Sequence, residues 1–208
     1  MTKTKIAVLI SGSGTNLQAL MDSIKSGEVN GEVSLVISNK KGVVGLERAE
    51  NNNIKTCVID RETFPTQGER DFVLLETLEN NNVDLVVLAG YLAIVPENVI
   101  NKYRNKIMNI HPSLIPSFSG KGFYGGNVHR AAVERGVKIT GATVHFVNEE
   151  TDGGPIILQE VVAVDFNDTA DDVQKKVLAI EHRILPYAVR LFIDGKLNVV
   201  GNKVNIID

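Results

Sequence analysis

Short β-branched runs alternate with amphipathic stretches through the first half of the chain, and this alternation constrains the fold more than any other feature. Lys5 to Ile10, Val33 to Ile37, Thr56 to Ile59 and Val83 to Ala89 read as buried strands, apolar at consecutive positions rather than at every second one. Strands of that kind belong to parallel sheets covered on both faces. Between them, Leu17 to Ile24, Val44 to Asn51 and Glu69 to Glu79 carry apolar residues at helical spacing, with Asn and Gly closing the first connections. The pattern predicts an α/β fold with a doubly wound, mostly parallel sheet.

A fifth strand, Lys106 to Ile110, ends at His111-Pro112, where proline removes a ladder donor and restricts the residue before it. After a glycine-rich, aromatic stretch from Ser117 to Gly126, a short helix from Val128 to Arg135 leads into Ile139 to Val147 and Ile156 to Val164. The turn Asp152-Gly153-Gly154-Pro155 separates these two runs and predicts an antiparallel C-terminal extension of the sheet. Thr169 is the expected N-cap of a long helix with Asp171 and Asp172 in its first turn, running to about Ile193 and interrupted or kinked at Pro186. Leu197 to Ile207 reads as a hairpin turning at Gly201-Asn202, and a single domain over 1–208 is expected.

Charge narrows the function classes. The 208 residues hold 22 basic and 25 acidic side chains, a net charge of −3. That balance lacks the basic excess a phosphate backbone attracts, which argues against a nucleic-acid partner. Cys57 has no second cysteine to pair with, and His111, His129, His145 and His182 are too widely spaced for a short zinc motif, so no metal is expected. A reducing, cytoplasmic setting follows from the same reading. The longest uncharged apolar run, Leu85 to Val95, is broken by Gly90 and Tyr91 and falls short of the roughly 20 residues that cross a bilayer. Small-molecule chemistry, away from membranes, is the remaining class; a homodimer is left open.

Two clusters carry candidate chemistry. Ser11-Gly12-Ser13-Gly14-Thr15-Asn16 follows the first strand and opens the first helix, where free amides and the helix dipole favour an anion. Leu17 stands where a dinucleotide fingerprint needs its third glycine, and no Walker lysine is present, so a single phosphate on a small ligand fits better than a pyrophosphate. The alternative is a tight turn that simply needs glycine. Asn109-Ile110-His111-Pro112-Ser113 lies at the carboxyl end of the fifth strand, the edge at which ligands of open α/β sheets collect. Strand alternation sets Asn109 and His111 on one face. A carboxamide can donate to a developing oxyanion while an imidazole moves a proton, which suits addition to a carbonyl. Asp152 is the candidate carboxylate to favour the charged ring, against the plainer alternative of a hydrogen-bonded structural histidine. His129, His145 and His182 read as structural, and no nucleophile elbow is present.

Taken in order, the glycine-rich loop, Asn109 to Pro116, Gly141-Ala142-Thr143-Val144-His145-Phe146-Val147 and Asp152 to Ile157 resemble the folate-dependent formyltransferases, within them the branch acting on glycinamide ribonucleotide. The resemblance covers Ile6 to about Gly195. It implies formyl transfer from 10-formyltetrahydrofolate, as co-substrate, to the amine of glycinamide ribonucleotide in purine synthesis. Carried over by position, Asn109, His111 and Asp152 become the catalytic trio, and Gly14, Thr15, Asn16 and Glu181 contact the ribonucleotide. Leu92, Ala93, Ile94 and Val95, with Asn109 and Asn148, Glu149, Glu150, Thr151 and Asp152, line the folate pocket. Many relatives have Met-Arg in place of Leu92-Ala93 and a basic residue near Gln67, so contacts to the folate tail are expected to differ. Among relatives, a deformylase using water in place of the amine is the nearest rival; a sensor that binds without chemistry is the rival from outside enzymes.

Overall fold

The computed structural model describes residues 3–207, which divide after Met108 into two compact units. In the first, β1 (Thr4–Ile10) is flanked by β2 (Gly31–Ser38) and β4 (Leu85–Leu88), and β3 (Lys55–Val58) lies beyond β2, all in parallel. Ile6 to Ile10 are completely buried. Both faces of β1 are therefore covered, which is why its residues are apolar at successive positions instead of alternating. The connections are α1 (Thr15–Lys25), α2 (Val44–Asn51) and α3 (Gln67–Asn80). Thr66 and Glu69 form a reciprocal capping box at the start of α3. Asn53 and Asn82 take left-handed conformations just past α2 and α3, as the Asn-rich connections predict.

The chain leaves β1 in one direction, through β2 to β3, and returns to its other side at β4. The carboxyl ends of β1 and β4 consequently flank a topological switch point. A short helix after β4, α4 (Glu97–Lys102), is absent from the sequence reading. Its six residues are too few to establish an apolar period.

The second unit begins within β5 (Ile107–His111) and continues through α5 (Gly126–Arg135), β6 (Ile139–Phe146), β7 (Ile156–Ala163), α6 (Ala170–Ile193), β8 (Leu197–Val200) and β9 (Lys203–Ile206). Its strands run in the order β5-β6-β7-β9-β8, with β6 and β7 antiparallel and β8-β9 a hairpin. Thr169 caps α6 through a capping box with Asp172, as expected. The helix is not interrupted at Pro186: α6 is continuous to Ile193. Proline forfeits one backbone hydrogen bond, while Ile184, Leu185, Ala188 and Val189 around it are buried and keep the helix packed on β6 and β7.

Candidate active site

In the first unit, the segment after β1 is shaped by backbone proximity. Gly14 caps α1 in the left-handed region at φ 69°, and a Cβ there would stand 2.7 Å from the Cα of Gly45. Gly45 N–H also donates to Gly12 O at 3.0 Å, and Arg48 Nε donates to Ser13 O at 2.8 Å. No side chain caps α1, so its first-turn amides are available to an anion. Thr15 and Asn16 open the helix, with Asn16 buried. Ser11 ties this segment to the loop after β4: its hydroxyl accepts from Leu92 N–H at 2.8 Å and donates to Asn39 Oδ1 at 2.6 Å. The two sequence-predicted loops of this unit thus meet at the switch point.

A cavity of about 1060 Å³ opens beside that junction, walled by Tyr91, Leu92, Ala93, Ile94, Gln67 and Arg70 among others. Val95, at the end of the same loop, is buried. Gln67 is engaged locally, accepting from Arg70 at 2.8 Å and donating to Asp71 at 2.6 Å, while Arg70 also donates to the carbonyls of Phe64 and Pro65.

In the second unit, Asn109 and His111 leave β5 on the same face, and the turn after β6 brings Asp152 to them. Asp152 Oδ2 lies 3.6 Å from His111 Nδ1, and Asp152 Oδ1 lies 3.7 Å from His145 Nε2. Asn109 Nδ2 donates to His145 Nε2 at 3.1 Å. The tautomers follow from the partners. His145 Nδ1 faces the Phe146 carbonyl at 2.8 Å, and a carbonyl only accepts, so Nδ1 carries the hydrogen and Nε2 receives the Asn109 amide. By the same logic His111 carries a hydrogen on Nε2, donated to Phe118 O at 2.9 Å. The Asn109 carboxamide keeps a second N–H for another acceptor.

Asp152 sits at φ 57°, a left-handed conformation that Asp tolerates better than most side chains. It also accepts from Gly120 N–H at 2.8 Å. Burial pushes its carboxyl up, but its polar surroundings, the Gly120 N–H that donates to it among them, outweigh burial and hold it below the usual carboxylate range. For His111 the balance is the reverse. Burial lowers its pKa and outweighs the upward pull of Asp152 and of the Phe118 carbonyl, leaving the resting ring neutral at pH 7. The expectation that Asp152 keeps the ring charged is corrected accordingly: the acid pulls in that direction and desolvation prevails.

Asn148, Glu149, Glu150 and Thr151 form the turn leading to Asp152, braced by Glu150 N–H on Asn148 Oδ1 at 3.1 Å. Glu149 to Thr151 are exposed. Gly154 closes the turn against the Phe146 carbonyl, which a Cβ would approach to 1.9 Å. Glu181 is buried on α6. His129, buried on α5, has an Nδ1 with no hydrogen-bond partner, and burial pushes its ring down to about 4. The residues that sequence reasoning underrated are His145 and the backbone of Phe118 and Gly120. A histidine in the wholly buried stretch from Thr140 to Phe146 was the available signal for the first. Among the described residues no cluster of His, Cys, Asp or Glu could hold a metal ion, and no helix is long and apolar enough to cross a membrane.

The first unit thus carries a switch point with an uncapped helix start, and the second an Asn-His-Asp cluster at a strand end. The chain matches the formyl transferase family over residues 4–189 and belongs to it. It is 40% identical over 198 residues to the phosphoribosylglycinamide formyltransferase of Haemophilus influenzae, covering 95% of this chain and 91% of that one. It is 45% identical over 197 residues to the trifunctional purine biosynthetic protein adenosine-3 of Gallus gallus, spanning 95% of this chain but only 19% of that protein. The crystal structure of glycinamide ribonucleotide transformylase 1 from Symbiobacterium toebii superposes with a TM-score of 0.93 at 45% identity, covering 99% of this chain and 95% of that one.

Proposed function

We propose that this protein transfers the formyl group of 10-formyltetrahydrofolate to the amine of glycinamide ribonucleotide, a step of purine synthesis, within one formyltransferase domain working in the cytoplasm. The observation that carries the chemistry is the approach of Asp152 to within 3.6 Å of His111, with Asn109 on the same strand face. The names of the relatives support the substrates.

In this reading the neutral amine attacks the formyl carbon. The C–N bond to the ribonucleotide forms, the carbonyl oxygen becomes an oxyanion, and the second N–H of Asn109 stabilises it. Collapse breaks the bond to the folate nitrogen, which leaves with one proton taken from the amine. His111, neutral at rest, acquires charge as that proton moves, and the Asp152 carboxylate at 3.6 Å stabilises the imidazolium while it lasts. No covalent enzyme intermediate is required. Gly14, Thr15 and Asn16 hold the ribonucleotide phosphate at the start of α1, and Glu181 contacts the same substrate. Leu92 to Ile94 and the 148–152 turn contact the folate, with Ala93 and the locally engaged Gln67 supplying no cation to its tail.

The test is to mix the protein with 10-formyltetrahydrofolate, with and without glycinamide ribonucleotide, and follow folate deformylation. Dependence on the amine is the expected result. Deformylation without it would make the protein a hydrolase, and no turnover in either mixture would make it a binding protein.

A further inference from the structure

The glycine-rich segment between β5 and α5 turns two backbone groups onto the Asn-His-Asp cluster. Its stem is stiff: Ser113, fully buried, donates to Ser117 O at 2.5 Å, and Thr143 Oγ1 donates to Ser113 O at 2.7 Å while accepting from Ile115 N–H at 3.1 Å. Beyond the stem the chain reverses through Phe118 at φ 51° and Gly120 at φ 82°. A left-handed conformation is costly for a bulky aromatic residue and persists only where its surroundings enforce it. Here it aims the Phe118 carbonyl at His111 Nε2, and two residues later Gly120 N–H reaches Asp152 Oδ2. The imidazole is gripped at Nε2 by the turn and faced at Nδ1 by the acid, which the same turn also holds.

The two phenyl rings of the turn are in contact. Phe118 and Phe123 meet edge to face, 6.1 Å between centroids at 69°, and Phe123 N–H donates to Gly120 O at 3.1 Å. We infer that residues Phe118 to Phe123 form a positioning element for His111, in which the Phe118–Phe123 ring pair latches the turn and the turn fixes the hydrogen on Nε2 with Nδ1 toward Asp152. Neither ring belongs to the residues assigned to substrate contacts. With the latch open, Phe118 relaxes from its left-handed conformation, its carbonyl leaves Nε2, and the ring is free to change tautomer or flip. The kinetic part of this inference rests on the formyl-transfer reading above; the tautomer part does not.

The experiment compares Phe123→Ala and Phe123→Tyr with the parent in the full chain, labelled with 15N-histidine. Long-range 1H–15N spectra report the His111 tautomer, and steady-state kinetics report kcat and KM. The parent gives a single Nε2–H pattern. Phe123→Ala is expected to give a tautomer mixture and a kcat lowered about tenfold or more, as small misplacements of a reacting group cost, with KM for glycinamide ribonucleotide unchanged. Phe123→Tyr, which keeps the ring, restores both readouts. A parental tautomer pattern in Phe123→Ala, with or without a loss of kcat, overturns the inference. Should that variant fail to fold by circular dichroism, Phe123→Leu keeps the apolar bulk without the aromatic edge, and a parental pattern there is equally decisive. A parent that shows no amine-dependent deformylation removes the formyl-transfer reading and leaves the tautomer comparison standing.

Discussion

Nε2 of His145 accepts the Asn109 amide at 3.1 Å, so the carboxamide assigned to the oxyanion is held by a second histidine whose own Nδ1–H is fixed on a backbone carbonyl. Removing the amide should cost roughly 10² to 10³ in kcat, the range for one oxyanion donor. His145→Phe keeps the volume and frees the amide, so a smaller loss of kcat is expected. The double variant Asn109→Ala/His145→Phe should be no slower than Asn109→Ala alone, because the two act as one unit. Multiplicative losses would separate them.

The acid and the imidazole make a second pair. His111→Ala should lower kcat by about the same 10² to 10³ in a folded protein, and near-normal turnover would remove His111 from the chemistry. Asp152→Asn withdraws the charge that raises the ring, so the His111 pKa should fall further below its ordinary value, read by titrating its ring resonances. A rise would contradict the balance described here.

Gly14→Ala tests the loop after β1. The added Cβ would stand 2.7 Å from Gly45 Cα in a conformation that L side chains rarely adopt. A stability loss of about 1–3 kcal/mol is expected from overpacking and strain, measured by denaturant unfolding. Calorimetry should show weakened binding of glycinamide ribonucleotide, whereas folate binding should persist.

His129 gives the fold a pH dependence. Its ring is pushed from an ordinary 6.5 down to about 4 by burial, so the unfolded chain binds a proton there that the folded chain refuses. Its contribution is intact above 6.5 and lost as pH falls toward 4, by about 3 kcal/mol at the lower end. Asp152, held below its ordinary 3.8, acts in the same direction at lower pH still. His129→Phe should flatten the stability profile between those limits in thermal melts across pH, and an unchanged slope would refute the assignment.

The sequence made most of this architecture readable because its signals are local. The unbroken apolar run from Ile6 to Ile10 reports burial on both faces, and Thr169 before Asp171 and Asp172 marks the helix start that the structure contains. The trio was legible because Asn109 and His111 are two apart on a strand and Asp152 belongs to an unmistakable turn. His145 was not, since its value comes from β6 lying beside β5, and strand order is not written in the pattern of either strand. The Phe118 carbonyl is a backbone group, whose direction depends on φ rather than on residue type. Pro186 follows a local rule for an interruption or kink, and core packing keeps α6 continuous across it.

The left-handed backbone at Asp152 puts function and robustness in opposition. Glycine would adopt that conformation without strain, and Asp152→Gly would relieve the turn while deleting the acid that faces two imidazoles. If Asp152 has the proposed role, selection for heat tolerance alone would drift toward an inert protein at this codon, and selection for turnover would be what keeps the carboxylate in place.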